Sequence, residues 1–103
     1  MLESQIERAL ITEVEKHGAK ARKFVSPGWA GAPDRIVLLP GGRVVFVELK
    51  TPKTVMRPLQ KKRRAELTGL GFSVYEIRSL SEVKKFIAEV FQECDLNHTA
   101  TRK

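Results

Sequence analysis

The sequence predicts an α/β domain in which a mixed β-sheet is flanked by helices, with the elements in the order α-β-β-β-α-β-α. Three observations predict it. Apolar residues recur at helical spacing near both ends of the chain. Two apolar runs, IVLL and VVFV, are separated only by a Pro-Gly-Gly turn and flanking residues. A basic helical stretch then separates the second run from a further alternating strand, which allows a parallel crossover.

The first helix is predicted over Glu3–His17, where Ile6, Ala9, Leu10 and Val14 share a stripe and Gly18 offers a stop. AKARKFVS follows as a short strand, with Phe24 and Val25 near its end. SPGWAGAP is dense in Gly and Pro and reads as a loop. DRIVLL is a strand, PGG a turn short enough for a hairpin, and RVVFVELK its antiparallel partner. After the loop TPKTVM, Arg57–Leu70 reads as a helix with Pro58 in its first turn, where the missing N–H costs nothing. Leu59, Arg63, Glu66 and Leu70 fall near one stripe of it, and Gly69 and Gly71 end it. FSVYEIR alternates as a strand. SLSE resembles a capping box, with Ser79 as N-cap and Glu82 three residues later. The last helix is expected to end near Glu93, with Val83, Phe86, Ile87, Val90 and Phe91 as its apolar stripe. Residues 1–94 are expected to form one domain and 95–103 a flexible polar tail.

Composition narrows the function. The chain has 103 residues, 42% hydrophobic and 30% charged, in keeping with one soluble globular domain. No apolar run approaches the ~20 residues of a membrane helix, and the N-terminus lacks a signal-peptide pattern, so no membrane partner is expected. A single cysteine, Cys94, excludes an intrachain disulfide and fits a reducing, cytoplasmic setting. Nineteen basic against twelve acidic residues give a net charge of +7, which favours a polyanionic partner, most simply nucleic acid.

The chemistry concentrates at the ends of the two apolar strands. Side chains alternate along a strand, so Glu48 and Lys50 project from one face, shared with Val44 and Phe46. A hairpin closed at PGG brings Asp34 close to Glu48. Two carboxylates so placed repel, and partial burial raises the cost. A hard divalent cation removes the conflict by taking oxygens from both, with water and phosphate completing its shell. It can acidify a water and polarise a phosphoryl oxygen, while a nearby lysine orients the nucleophile or offsets developing charge. The alternative is a rim ion pair between Glu48 and Lys50 with Asp34 capping a turn.

These residues resemble a known family. Pro33-Asp34 followed by Glu48-Leu49-Lys50 matches the PD-(D/E)xK nuclease pattern. The fuller run from Gly31 to Lys50, then Pro58-Leu59-Gln60, resembles the VRR-NUC domains of that superfamily, of the stand-alone phage or prophage type. The resemblance implies a restriction-endonuclease-like fold with an αβββαβ core and a C-terminal helix. It implies Mg²⁺ or Mn²⁺ held by Asp34, Glu48, the backbone carbonyl of Leu49 and an acid of the first helix, Glu7 or its competitor Glu3. Lys50 would be the catalytic lysine and Gln60 an active-site glutamine. The implied activity is a metal-dependent, structure-selective DNA endonuclease for replication or repair intermediates in a bacterial or phage-infected cell. Four-way Holliday junctions are candidate substrates, and a homodimer is expected because the chain is too small to embrace a junction alone. A non-catalytic DNA-binding module and an RNA-directed nuclease are the alternatives.

Phosphate contacts are expected from Lys53, Arg57, Lys61, Lys62 and Arg64 around the QKKRR run, unless that run is simply a solvated helix face. Lys23 either touches phosphate or guards an edge strand. Trp29 either stacks on a base or packs within its own domain or against a partner. His17, near a helix end, needs no more than a favourable helix dipole. His98 falls in the expected tail, and Cys94 reads as an inert thiol.

Overall fold

A computed structural model describes residues 3–51 and 53–102, with side chains described up to residue 91. The elements are α1 (Glu3–Lys16), β1 (Lys20–Lys23), β2 (Arg35–Leu39), β3 (Arg43–Leu49), α2 (Pro58–Gly69), β4 (Ser73–Ile77) and α3 (Leu80–Arg102). They form one sheet in the order β1-β2-β3-β4. The first two pairings are antiparallel, and β3–β4, bridged by α2, is parallel. The expected mixed sheet and element order are both present.

Alternation along β3 sorts the core into two layers. Val45, Val47 and Leu49 face Ile6, Leu10 and Val14 of α1 and Val83, Phe86 and Val90 of α3. Fully burying each such aliphatic side chain contributes about 1.5–3 kcal/mol, so this layer supplies most of the apolar drive to fold. Phe46 points the other way, onto Leu67 of α2 and Val74 of β4, with Phe24, Trp29, Ile36 and Val44 packed around them. The sheet thus separates an α1–α3 layer from α2. Among the described residues no helix is long and apolar enough to cross a membrane.

The hairpin register depends on the Pro-Gly-Gly turn. Residues Pro40–Gly42 make one 3-10 turn in which Gly41 and Gly42 take φ of 82° and 79°, values that favour glycine. Arg35 then pairs with Val47, and continuing the ladder one step sets Asp34 opposite Glu48. The Phe24 N–H donates to the Asp34 carbonyl at 2.9 Å, so pairing with the first strand continues past Lys23.

Gly31 fixes the loop leading to Asp34. Its φ is +86°, and a Cβ there would lie 2.9 Å from Leu59 Cγ and 3.0 Å from the Leu59 carbonyl carbon. Backbone at α2 cannot yield as a side-chain tip can. Gly31→Ala is expected to destabilise the fold by about 1–3 kcal/mol, read as a lowered urea midpoint at unchanged m-value.

Some expectations need correction. The buried residue of α2 is Leu67, not the stripe of Leu59, Arg63, Glu66 and Leu70; Leu70 is 75% exposed. The helix seats on the sheet through Leu67 and turns Arg63 and Arg64 toward Trp29 and β4, so long cations cover part of its contact with the sheet. At the start of α3, Ser79 Oγ accepts from the Glu82 N–H at 3.2 Å as expected, but the Glu82 carboxylate accepts from the Arg78 N–H at 2.5 Å rather than from Ser79. The helix α3 continues past Glu93 to Arg102. The side chains of Cys94 and His98 lie outside the described residues. His17 stacks on Phe91 with ring centroids 4.4 Å apart, which ties the end of α1 to α3.

Candidate active site

Asp34 and Glu48 meet where β2 begins and β3 ends. Their contact is held by backbone as well as by side chain. The Asp34 N–H donates to Glu48 Oε1 at 3.2 Å, and the Leu49 N–H donates to Asp34 Oδ2 at 2.8 Å. Each acid is therefore oriented by the other strand, and the pair is a product of register. Glu48 is 2% exposed and Lys50 7%, the two buried charges of the described core.

Burial and the neighbouring Asp34 charge push the Glu48 carboxyl up to about 7; the Lys50 ammonium opposes them without winning. Glu48 Oε2 is buried and has no hydrogen-bond partner among the described residues. The Lys50 ammonium lies 3.9 Å from it, beyond hydrogen-bond reach, and donates instead to Gln60 Oε1 at 2.8 Å. Gln60 Oε1 also accepts from the Arg57 N–H at 3.0 Å, so the glutamine caps α2 and receives the lysine at once. Two acids that disfavour shared ionisation, one with an orphaned oxygen, form a donor set suited to a hard divalent cation.

The remaining predicted residues are placed as follows. Glu7 is ion-paired with Arg35 Nη2 at 2.9 Å on the α1 face of the sheet, and Glu3 is exposed. Among the described residues no three His, Cys, Asp or Glu side chains gather into a metal group, so the structure brings together Asp34 and Glu48 but does not add Glu7. Lys23, Lys53, Arg57, Lys61 and Lys62 are exposed. Arg64 turns back onto the sheet, 3.7 Å from Glu76 Oε2 and 3.4 Å from the Val74 carbonyl. Trp29 is half-buried beneath the Arg63 guanidinium, 5.1 Å from the ring centre, while Arg63 Nε donates to the Ala30 carbonyl at 2.8 Å. A cavity of about 470 Å³ lies between α1 and α3, lined in part by Ala9, Thr12, Leu80 and Val83; it holds no paired acids and is remote from this chemistry.

Sequence reasoning missed Glu76 and Arg78. Arg78 Nη1 donates to the Thr51 carbonyl at 2.8 Å and to that of Thr54, and Arg78 Nη2 pairs with Glu76. A signal was present: E76-I-R78 repeats the E-x-K pattern of β3 on the neighbouring strand.

A mixed sheet with a Pro-Asp opening one strand and Glu-x-Lys closing the next, flanked by helices on both faces, defines a restriction-endonuclease-like nuclease fold. No family model matches the chain. It is 47% identical over 77 residues to "Putative nuclease p44" of Acyrthosiphon pisum secondary endosymbiont phage 1, covering 75% of this chain and 83% of that protein. A solved structure described as a VRR_NUC domain superposes with a TM-score of 0.80 at 30% identity, over 85% of this chain and 96% of the other. The chain belongs to the VRR-NUC family of phage-type nucleases.

Proposed function

We propose that the protein is a Mg²⁺- or Mn²⁺-dependent endonuclease that hydrolyses phosphodiester bonds in branched DNA. The observation that carries this reading is the buried Glu48 carboxylate, set against Asp34 with one oxygen unpartnered and an ammonium alongside. Asp34, Glu48 and the Leu49 carbonyl would hold the cation. In extended backbone that carbonyl projects to the same side as the Leu49 N–H, which is bonded to Asp34. Glu7, paired with Arg35 on the α1 face, would have to break that pair to reach them. When bound, the cation supplies Lewis acidity toward a phosphoryl oxygen and makes water a stronger nucleophile at neutral pH.

The chain's own residues do the rest. Gln60 fixes the Lys50 ammonium, which donates to the attacking oxygen or to a phosphate oxygen as negative charge grows there. In the reaction a water oxygen bonds to phosphorus, the bond from phosphorus to the 3′ oxygen breaks, and that oxygen takes up a proton. The products carry 5′-phosphate and 3′-hydroxyl ends. Lys53, Arg57, Lys61 and Lys62 offer exposed positive charge beyond the Lys50–Gln60 pair, where a phosphate backbone can run without regard to sequence. Lys61→Ala is expected to weaken binding alike for all sequences and to reduce the slope of log affinity against log salt by about 1, measured by fluorescence anisotropy.

Two copies of the chain related by a twofold axis would set one site on each of two strands of a four-way junction. The deciding experiment compares four-way junction, flap, duplex and single-stranded DNA, and RNA, with Mn²⁺, Mg²⁺ or EDTA, alongside light scattering for mass. Cutting of branched DNA only with metal, by a dimer, is the expected result. Binding without cutting under every condition would make the protein a DNA-binding module. Preferential cutting of RNA would reassign the substrate.

A further inference from the structure

Two couplets of acid and base run side by side in the parallel part of the sheet. Glu48 is in register with Glu76 and Leu49 with Ile77, so E48-L49-K50 and E76-I77-R78 advance in the same direction on adjacent strands. The first couplet carries the proposed chemistry. The second is spent on the protein itself.

Arg78 Nη1 donates to two carbonyls of the segment just after Lys50, those of Thr51 (2.8 Å) and Thr54. The same turn is closed by the Thr54 N–H donating to the Thr51 carbonyl at 3.1 Å and by a 2.5 Å hydrogen bond between the two threonine hydroxyls. Arg78 Nη2 pairs with Glu76, and Glu76 Oε2 lies 3.7 Å from Arg64 Nη1 on α2. One strand therefore grips both the loop that leaves Lys50 and the helix that carries Gln60. The Lys50 backbone is anchored to that strand as well, through its N–H to the Ile77 carbonyl at 3.0 Å.

We propose that Arg78 is a positioning residue of the active site: its guanidinium clamps the Thr51 and Thr54 carbonyls and so sets where the Lys50 ammonium meets Gln60. The proposal rests on the nuclease reading above. A lysine side chain has four rotatable methylenes, and a 2.8 Å contact to Gln60 requires that strand end and helix start keep a fixed separation. The loop between them is what sets that separation. Arg78 is poorly suited to hold a substrate phosphate instead, because two of its five N–H donors go to main-chain oxygens and the ion-paired Glu76 balances its charge.

The test uses the full chain, a branched DNA and Mn²⁺. Arg78→Ala is expected to lower kcat about 10–100-fold, with KM, and Kd measured in Ca²⁺, within about twofold. Gln60→Ala should show the same split, and the double variant should be little worse than the weaker single one, because both act through Lys50. Hydrogen exchange at the Thr54 amide should quicken at least about tenfold in Arg78→Ala while the Val47 amide stays protected. Full kcat in folded Arg78→Ala overturns the proposal. So do losses that multiply with those of Gln60→Ala, or a rise in KM and Kd that accounts for the whole defect, which would mark a phosphate contact. Should Arg78→Ala not fold, Arg78→Lys keeps the positive charge but has a single nitrogen, so it cannot hold the two carbonyls from one nitrogen and Glu76 from another as the planar guanidinium does. The same kcat loss is then expected, and a full rate overturns the clamp. If the wild-type protein cuts nothing, the nuclease reading fails by itself. The exchange rate at Thr54 then decides the clamp separately, and no change in it overturns the clamp.

Discussion

Lys50→Ala is expected to reduce DNA cleavage by about 10²–10³-fold while leaving DNA affinity within about twofold. The ammonium is 7% exposed and is held by Gln60 rather than by the nearest acid. A lysine serving only to neutralise Glu48 would close the 3.9 Å gap to Oε2, since a direct charge-assisted hydrogen bond is shorter and stronger. The gap leaves the ammonium free to donate to a substrate oxygen. Exposed Lys53, Arg57, Lys61 and Lys62 remain to hold phosphate in the variant, so affinity should survive. Single-turnover cleavage with Mn²⁺ and anisotropy with Ca²⁺ would separate the two quantities. Undiminished cutting by Lys50→Ala would remove the lysine from the mechanism.

The second large effect is on stability. The folded-state pKa of Glu48, about 7, lies above its ordinary value of 4.5. The native protein therefore binds more protons than the unfolded chain between those values, and stability falls as pH rises. The contribution is fully present below about pH 4.5 and lost through about pH 7. At ~1.4 kcal/mol per unit it is on the order of 3 kcal/mol. Glu48→Gln should melt about 10–20 °C above the wild type at pH 8 in EDTA, and close to it near pH 4.5. Mn²⁺ at pH 8 should raise the wild-type midpoint by binding only the folded form, and should not move that of Glu48→Gln. Equal pH slopes in the two proteins, by calorimetry, would mean that Glu48 is not the strained group.

How much could be read from the chain alone follows from which contacts are local. A hairpin with a three-residue turn has little freedom, so alternation and a Pro-Gly-Gly sequence were enough to set Asp34 beside Glu48. The sides of β3 were likewise legible, because period two puts Val44, Phe46 and Glu48 together. Gln60 and Lys50 could be placed near each other only through family resemblance, since their meeting depends on how α2 docks. The docking itself is not legible in the sequence: α2 has few apolar residues, and its burial is decided by Leu67 together with the arginines Arg63 and Arg64. Glu7 was placed on the correct helix, but its pairing with Arg35 depends on how α1 crosses the sheet. Arg78 escaped notice because its partners are main-chain oxygens, which leave no trace in side-chain patterns.

The Pro40–Gly42 turn sits at the opposite end of the β2–β3 hairpin from the two acids, and among the described residues nothing lies within 4 Å of where side chains would emerge from Gly41 or Gly42. That end of the molecule is a natural handle. A dye or a surface tether attached at that end, with the Pro-Gly-Gly backbone that sets the register left intact, would ride on the strands that bring Asp34 and Glu48 together without entering the candidate site. Single particles could then be immobilised and watched as they engage a nucleic acid.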